Sequence, residues 1–213
     1  MLQTARTIAI VGPDGSGKTT QAELLVERLQ ELGYDVQYVH ALYYLSDRVP
    51  YADRFRRKLG PRKMRTRDRR TDGPLYFVRR TLFGLFGFWF ALLTVGVVSV
   101  IYRGSNRVVV FDRYYQQFLY DVYGRSSVPL SQLLPQPWRM IHLNADLDTI
   151  QIRMGTVDRS ADEQYYATVI DLFDECSTDD WLSFRAELPI ETLNERIFEA
   201  VRTDVKRGRL VSE

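Results

Sequence analysis

The stretch Thr7 to Thr20, TIAIVGPDGSGKTT, constrains the fold of this chain more than any other. A short apolar run, Ile8 to Val11, leads into a glycine-rich turn that ends on Gly17-Lys18-Thr19. The spacing is G-x-x-x-x-G-K-[ST], filled by Gly12, Gly17, Lys18 and Thr19. Glycine reaches positive φ without steric cost, so the backbone can curl until several N–H groups point inward. Those donors, with the positive end of the following helix, make a cradle for phosphate oxygens. It is built from Gly12, Pro13, Asp14, Gly15, Ser16, Gly17, Lys18, Thr19 and Thr20. Lys18 adds a mobile cation over the outer phosphates, and the Thr19 hydroxyl can complete the shell of a Mg²⁺. The bland alternative is a chance glycine turn between strand and helix. The motif needs an apolar strand before it and a helix after it, and both are here.

The next elements extend that unit. Ile8 to Val11 is short and β-branched with no polar alternation, the pattern of a strand covered on both faces. A helix is expected from Lys18 to Leu32, with Ala22, Leu25, Leu29 and Leu32 on one face and Gly33 as its stop. Asp35 to Val39 is the next strand. Strand, helix and strand within about 35 residues form a βαβ unit, which implies a parallel sheet with a right-handed crossover.

The pattern then breaks. Between Arg54 and Arg70 stand ten Lys or Arg against one Asp. This run reads as a solvated surface or loop, or as a funnel for an anionic substrate, or as a patch for a membrane surface. Thr81 to Tyr102 follows, 22 residues without a charge, bracketed by Arg79, Arg80 and Arg103. Its length and hydropathy suit a membrane-spanning helix. A full crossing would separate the phosphate loop from the later aspartate at Asp112, so a span is rejected. The helix is expected to be buried all round, or to face the core on one side and a partner on the other. A helix dipping into a membrane surface is the third reading. Gly84, Gly87 and Gly96 would permit close packing while weakening the helix. Residues 41–105 thus read as a basic and apolar helical insertion into one domain.

Val108 to Phe111 is another buried strand, ending on Asp112-Arg113-Tyr114-Tyr115. A carboxylate at the carboxyl end of a buried strand stands where open α/β sheets place ligand chemistry. Asp112 can hold Mg²⁺ directly or through water, and Arg113 can meet phosphate. An ordinary strand-end Asp-Arg pair is the alternative. Further on, Gln116 to Tyr123 is an aromatic helix, and Pro129 to Pro137 a short helix or turn. Met140 to Leu143 is a strand, and a helix starts at Asp146 with Ile150 and Ile152 inward. Arg153 to Arg159 is a short loop with an arginine at each end. A helix runs from Ser160 to about Glu175, Trp181 to Phe184 is an edge strand, and Ile190 to Val205 closes the chain on Leu193, Ile197, Ala200 and Val201.

Composition limits the function. The net charge of +2 gives no general attraction to nucleic acid, and none is expected as a partner. The single cysteine, Cys176, forms no intrachain disulfide and reads as a packed small side chain, with a reducing compartment as the default. The first strand begins within a few residues of the N-terminus, leaving no room for a signal peptide, so a cytoplasmic location is expected.

Together these pieces resemble the thymidylate kinase branch of the nucleoside monophosphate kinases. GPDGSGKTTQ (Gly12 to Gln21) is similar to that family's phosphate loop, including the acidic Asp14, which in the family reaches the acceptor sugar or the metal. VVVFDRYY (Val108 to Tyr115) resembles its Asp-Arg-Tyr strand end, whose arginine bridges donor and acceptor phosphates. RMGTVDRSADEQYY (Arg153 to Tyr166) is similar to its lid, whose arginines close over the triphosphate. The resemblance covers roughly half the chain, all of it phosphate machinery. It implies a three-layer α/β/α P-loop NTPase fold with a parallel five-stranded sheet, ATP and Mg²⁺ as cofactors, and a homodimer paired through long helices. Lys18, Asp112, Arg113, Arg153 and Arg159 are then catalytic. Thr19 and Asp112 hold the metal, and Asp14, Tyr114, Tyr115 and Asp121 face the acceptor.

Two departures bear on the acceptor. Where the family carries an Arg-Glu-Pro-type motif after the second strand, this chain has His40-Ala41-Leu42-Tyr43. The family's pyrimidine-reading arginine would fall near Ala91, inside the uncharged helix. The leading expectation is a nucleoside monophosphate kinase with dTMP preferred. Kinases of a sugar, glycan or lipid-linked acceptor are the alternative, and a nucleotide-binding module with little turnover is the third.

Overall fold

Five short strands pair into one parallel sheet, and helices cover both of its faces. The computed structural model describes residues 6–40, 74–102, 106–123, 127–154 and 159–210. In chain order the elements are β1 (Arg6–Val11), α1 (Lys18–Glu31), β2 (Asp35–His40), α2 (Pro74–Ile101), β3 (Arg107–Asp112) and α3 (Gln116–Tyr123). They continue with α4 (Ser127–Gln132), β4 (Arg139–Asn144), α5 (Leu147–Met154), α6 (Arg159–Cys176), β5 (Leu182–Arg185) and α7 (Ile190–Leu210). The sheet order is β2-β3-β1-β4-β5, with every pairing parallel. The basic run Arg54 to Arg70 lies outside the described residues.

Alternation along the strands explains the two covers. Ile8, Ile10, Val108 and Val110 point to one face, where Leu25 and Leu29 of α1 and Leu193, Ile197 and Val201 of α7 meet them. Ala9, Val11, Val109 and Phe111 point to the other, against Ala91, Val95 and Val98 of α2, Leu119 of α3 and Val169 and Phe173 of α6. A strand covered on both faces has no use for polar alternation, hence the continuous apolar runs. Gly33 ends α1 at φ 83° with its N–H on the Gln30 carbonyl at 2.8 Å, the left-handed stop that glycine adopts freely. Cys176 is buried.

Several expectations need correction. Leu32 lies just past α1 and is exposed, because the helix ends a residue before it. Ile152 is 82% exposed rather than inward. In α5 the buried residue is Ile150, and two positions later a helix has turned about 200°. The apolar helix α2 is not buried all round in this chain. Ala91, Thr94, Val95 and Val98 are buried, while Val78, Leu82, Leu85, Phe86, Trp89, Leu93, Val97, Val100 and Ile101 are exposed along the opposite side. Gly84 and Gly87 do allow close packing. A Cβ at Gly84 would lie within 2.2 Å of the Tyr123 ring, and one at Gly87 within 2.1 Å of Phe118. Gly96 has nothing within 4 Å and permits no such approach.

Candidate active site

The sheet order builds the site. The first crossover carries the chain from β1 out to β2, and β3 then returns between them. The chain next passes to the other side of β1 to make β4. Direction reverses at β1, and a crevice opens at the carboxyl ends of the strands. The loop from Gly12 to Gly17 and the end of β3 both lie there. Ile10 of β1 pairs with Asp112 of β3, so residues about a hundred apart in sequence become neighbours.

The loop has the curvature its glycines suggest. Gly12, Gly15 and Gly17 have φ of 146°, 87° and 88°, and Ser16 N–H closes a turn on the Pro13 carbonyl at 3.2 Å. Gly12 also has no room for a side chain, since a Cβ there would sit 2.5 Å from the Leu143 carbonyl oxygen. Successive amides in alternating conformations form an anion-binding concavity. Lys18 folds back over the loop and donates to the Pro13 carbonyl at 2.5 Å. Its ammonium is 3.7 Å from Asp14 Oδ1. Burial lowers the Lys18 pKa to about 8; the nearby Asp14 charge opposes that shift, and Arg113 adds to it.

Asp112 is fully buried and is met from two sides. The Thr19 hydroxyl donates to its Oδ2 at 2.8 Å and the Tyr38 phenol to the same oxygen at 2.7 Å. His40 Nε2 lies 4.0 Å from it, opposite Asp112 in the β2–β3 register. Oδ1 is buried with no hydrogen-bond partner among the described residues. The Tyr38 pKa is raised, first by burial and then by its bond to Asp112, so the phenol stays a donor.

Arg113 has the one positive φ among described non-glycine residues, 69°. Its N–H continues the sheet onto the Ile10 carbonyl at 3.0 Å, while its guanidinium turns into the crevice and bonds Asp14 Oδ1 at 2.5 Å. A left-handed arginine costs about 1–2 kcal/mol, and strain of this kind gathers at functional sites. Arg153, from the end of α5, reaches the same loop. It donates to the Ala186 carbonyl at 2.7 Å and to the Gly15 carbonyl at 3.4 Å.

Not every expected residue joins this group. Tyr114 and Tyr115 are buried in the core beneath α2. Tyr114 donates to the Pro135 carbonyl, and the two rings meet edge to face at 5.2 Å. Both are turned into packing, so neither is placed to face an acceptor. Arg159 begins α6 and Asp121 lies in α3; their side chains are outside the described set. Tyr38 and His40 were missed as site residues. Their signal is faint, two polar groups at a spacing of two on an edge strand, and only the sheet order gives it meaning.

The residues present suit a phosphate-bound Mg²⁺. A hard cation takes oxygen donors, and the bare buried oxygen of Asp112 beside the Thr19 hydroxyl supplies two. Among the described residues no group of three or more His, Cys, Asp or Glu could hold a metal. Phosphate oxygens and water would complete the shell, as is usual for Mg²⁺.

Comparison with known proteins agrees with this geometry. No family model matches the sequence. A curated thymidylate kinase from Exiguobacterium sp. is 62% identical over 29 residues, which is 14% of this chain and 14% of that protein. Among solved structures, thymidylate kinase from Candida albicans superposes with a TM-score of 0.62 at 18% identity, over 97% of this chain and 94% of that one. That structure is described as revealing the origin of its broad substrate specificity. The five-stranded parallel sheet with flanking helices is the thymidylate kinase-like P-loop NTPase fold.

Proposed function

We propose that this chain, folded as one domain, is a kinase that transfers the γ-phosphoryl group of ATP, with Mg²⁺, to a nucleoside monophosphate of the thymidylate type. One observation carries the reading: Thr19, Asp112, Arg113 and Asp14 converge on the mouth of an amide cradle, drawn from two segments about a hundred residues apart. Phosphoryl transfer needs little covalent chemistry from the protein and depends on positioning and charge neutralisation. An acceptor phosphate oxygen attacks the γ-phosphorus, the β,γ-bridging P–O bond breaks, and ADP leaves. The acceptor oxygen is already anionic at neutral pH, so no strong general base is required. The loop amides and Lys18 hold the β- and γ-phosphates. Asp14 holds Arg113 and neighbours Lys18; arriving phosphate would compete with it for both cations. Arg113 then lies between donor and acceptor phosphates, with Arg153, and Arg159 by resemblance, over the triphosphate. Thr19 and Asp112 would hold Mg²⁺, which would supply neutralisation of the charge developing on the transferring phosphoryl group.

The test is ADP release with ATP, Mg²⁺ and a panel of acceptors. Thymidylate should give the highest rate, and Lys18→Ala should abolish it. No ADP above acceptor-free hydrolysis with any nucleoside monophosphate overturns the reading.

A second reading, a sugar, glycan or lipid-linked acceptor, is favoured by one observation. Ala91, near the place of the family's pyrimidine-reading arginine, is fully buried against the sheet. Turnover with such an acceptor and none with nucleotides would select it; nucleotide binding without turnover on any acceptor would select a binding module. The exposed side of α2 also needs a partner. A homodimer through α2 fits the resemblance, and an anionic membrane surface fits the apolar stretch Gly84–Ile101, which is long enough to span. Light scattering at micromolar concentration and co-sedimentation with phosphatidylglycerol vesicles separate the two. The proposed location is cytoplasmic.

A further inference from the structure

We infer that Tyr38 is a positioning residue for the metal site. Its phenol holds the Asp112 carboxylate so that one oxygen is taken by protein donors and the other is presented to a divalent cation. This rests on the phosphoryl-transfer reading above and adds to it a residue that no part of the Asp-Arg-Tyr or phosphate-loop motif contains. A carboxylate oxygen has about two lone-pair sites. On Oδ2 both are taken, by Tyr38 Oη at 2.7 Å and Thr19 Oγ1 at 2.8 Å. His40 Nε2, at 4.0 Å, is beyond hydrogen-bond distance of it. Oδ1 is left buried with no partner among the described residues. A bare charged oxygen in the interior is costly unless a cation or water meets it. The two donors come from separate elements, one from the start of α1 and one from β2, and both hold the same carboxylate oxygen. Thr19 keeps lone pairs for the cation while its O–H points at Asp112 Oδ2. Tyr38 reaches the strand end because β2 runs parallel to β3 with His40 opposite Asp112. A residue two earlier shares the same face.

Outer-shell partners of this kind typically change metal affinity by about 10–100-fold when removed. Tyr38→Phe keeps the ring and deletes only the donor. Tyr102→Phe is the matched control. It deletes a phenol that bonds Gln37 of the same strand at 2.9 Å, away from the carboxylate. The measurement is Mn²⁺ binding to the ADP complex of each protein by electron paramagnetic resonance, without turnover, beside thermal unfolding in the absence of metal. Tyr38→Phe is expected to weaken Mn²⁺ by about tenfold or more, with Tyr102→Phe like wild type. In the Mg²⁺-dependent reaction the variant should need more Mg²⁺ and approach the wild-type rate at saturation. Unchanged Mn²⁺ affinity in Tyr38→Phe, with or without lost thermal stability, overturns the inference. So does equal weakening in both variants. A wild type that binds ADP but no Mn²⁺ overturns this inference together with the kinase reading, whereas failure of Tyr38→Phe alone leaves that reading standing.

Discussion

Two substitutions at Arg113 should separate backbone strain from catalysis. Arg113 has φ 69°, and the left-handed conformation costs an L-residue about 1–2 kcal/mol. Glycine does not pay that steric cost but loses about 0.5–1 kcal/mol more chain entropy on folding. The midpoints of these ranges leave Arg113→Gly about 0.75 kcal/mol more stable than Arg113→Ala. Both variants lose the 2.5 Å contact with Asp14, so its contribution cancels in the comparison. For a domain of this size that midpoint is a Tm gap of about 1.5–3 °C, read by circular dichroism without nucleotide. If the proposed function holds, both variants should lose on the order of 10³-fold or more in rate, because that reading assigns the same guanidinium to charge neutralisation on the transferring phosphoryl group. An alanine variant as stable as the glycine one refutes the strain. Either variant keeping more than about a tenth of the wild-type rate refutes the placement of the guanidinium at the phosphates.

Further outcomes follow from the same geometry. Gly87→Ala forces a Cβ to within 2.1 Å of Phe118; overpacking of about 1–3 kcal/mol should outweigh a helix-propensity gain of about 1 kcal/mol. Gly96→Ala meets nothing within 4 Å and should stabilise by up to about 1 kcal/mol; urea denaturation giving the same sign for both would sink this contrast. Lys18 has its pKa lowered to about 8 from 10.5, so between those values the unfolded chain binds more protons than the folded one. The cost of burying the ammonium is full below about pH 8 and is relieved as pH rises, so the ligand-free protein should gain stability over that window relative to Lys18→Met. A difference between the two that is flat with pH contradicts the burial argument. Trp89 stands 62% exposed on α2, and Trp89→Glu should abolish whichever of self-association or vesicle binding the wild type shows; a variant that associates like wild type excludes that face.

Much of the site was legible because it is local. The glycine spacing, the lysine and the threonine lie within eight residues, and the positive φ values at Gly12, Gly15 and Gly17 answer to them. Asp112 was legible as a strand-end carboxylate. What it bonds was not, because Tyr38 is 74 positions away and reaches it only through the β2–β3 pairing. Tyr114 and Tyr115 misled for a related reason. Adjacency to Asp112 in sequence says nothing about direction once the chain turns at Arg113, and there the two rings enter the core.

Periodicity and turn chemistry act over a few residues. They were enough to predict the buried strands β1 and β3, a parallel αβ arrangement and a tight glycine turn after the first strand. Which side of α2 stays exposed, which carboxylate oxygen stays bare and which arginine adopts a left-handed backbone depend on strand order β2-β3-β1-β4-β5. That order places distant segments side by side, and distance in space, not along the chain, sets the energy of a buried charge or a packed ring.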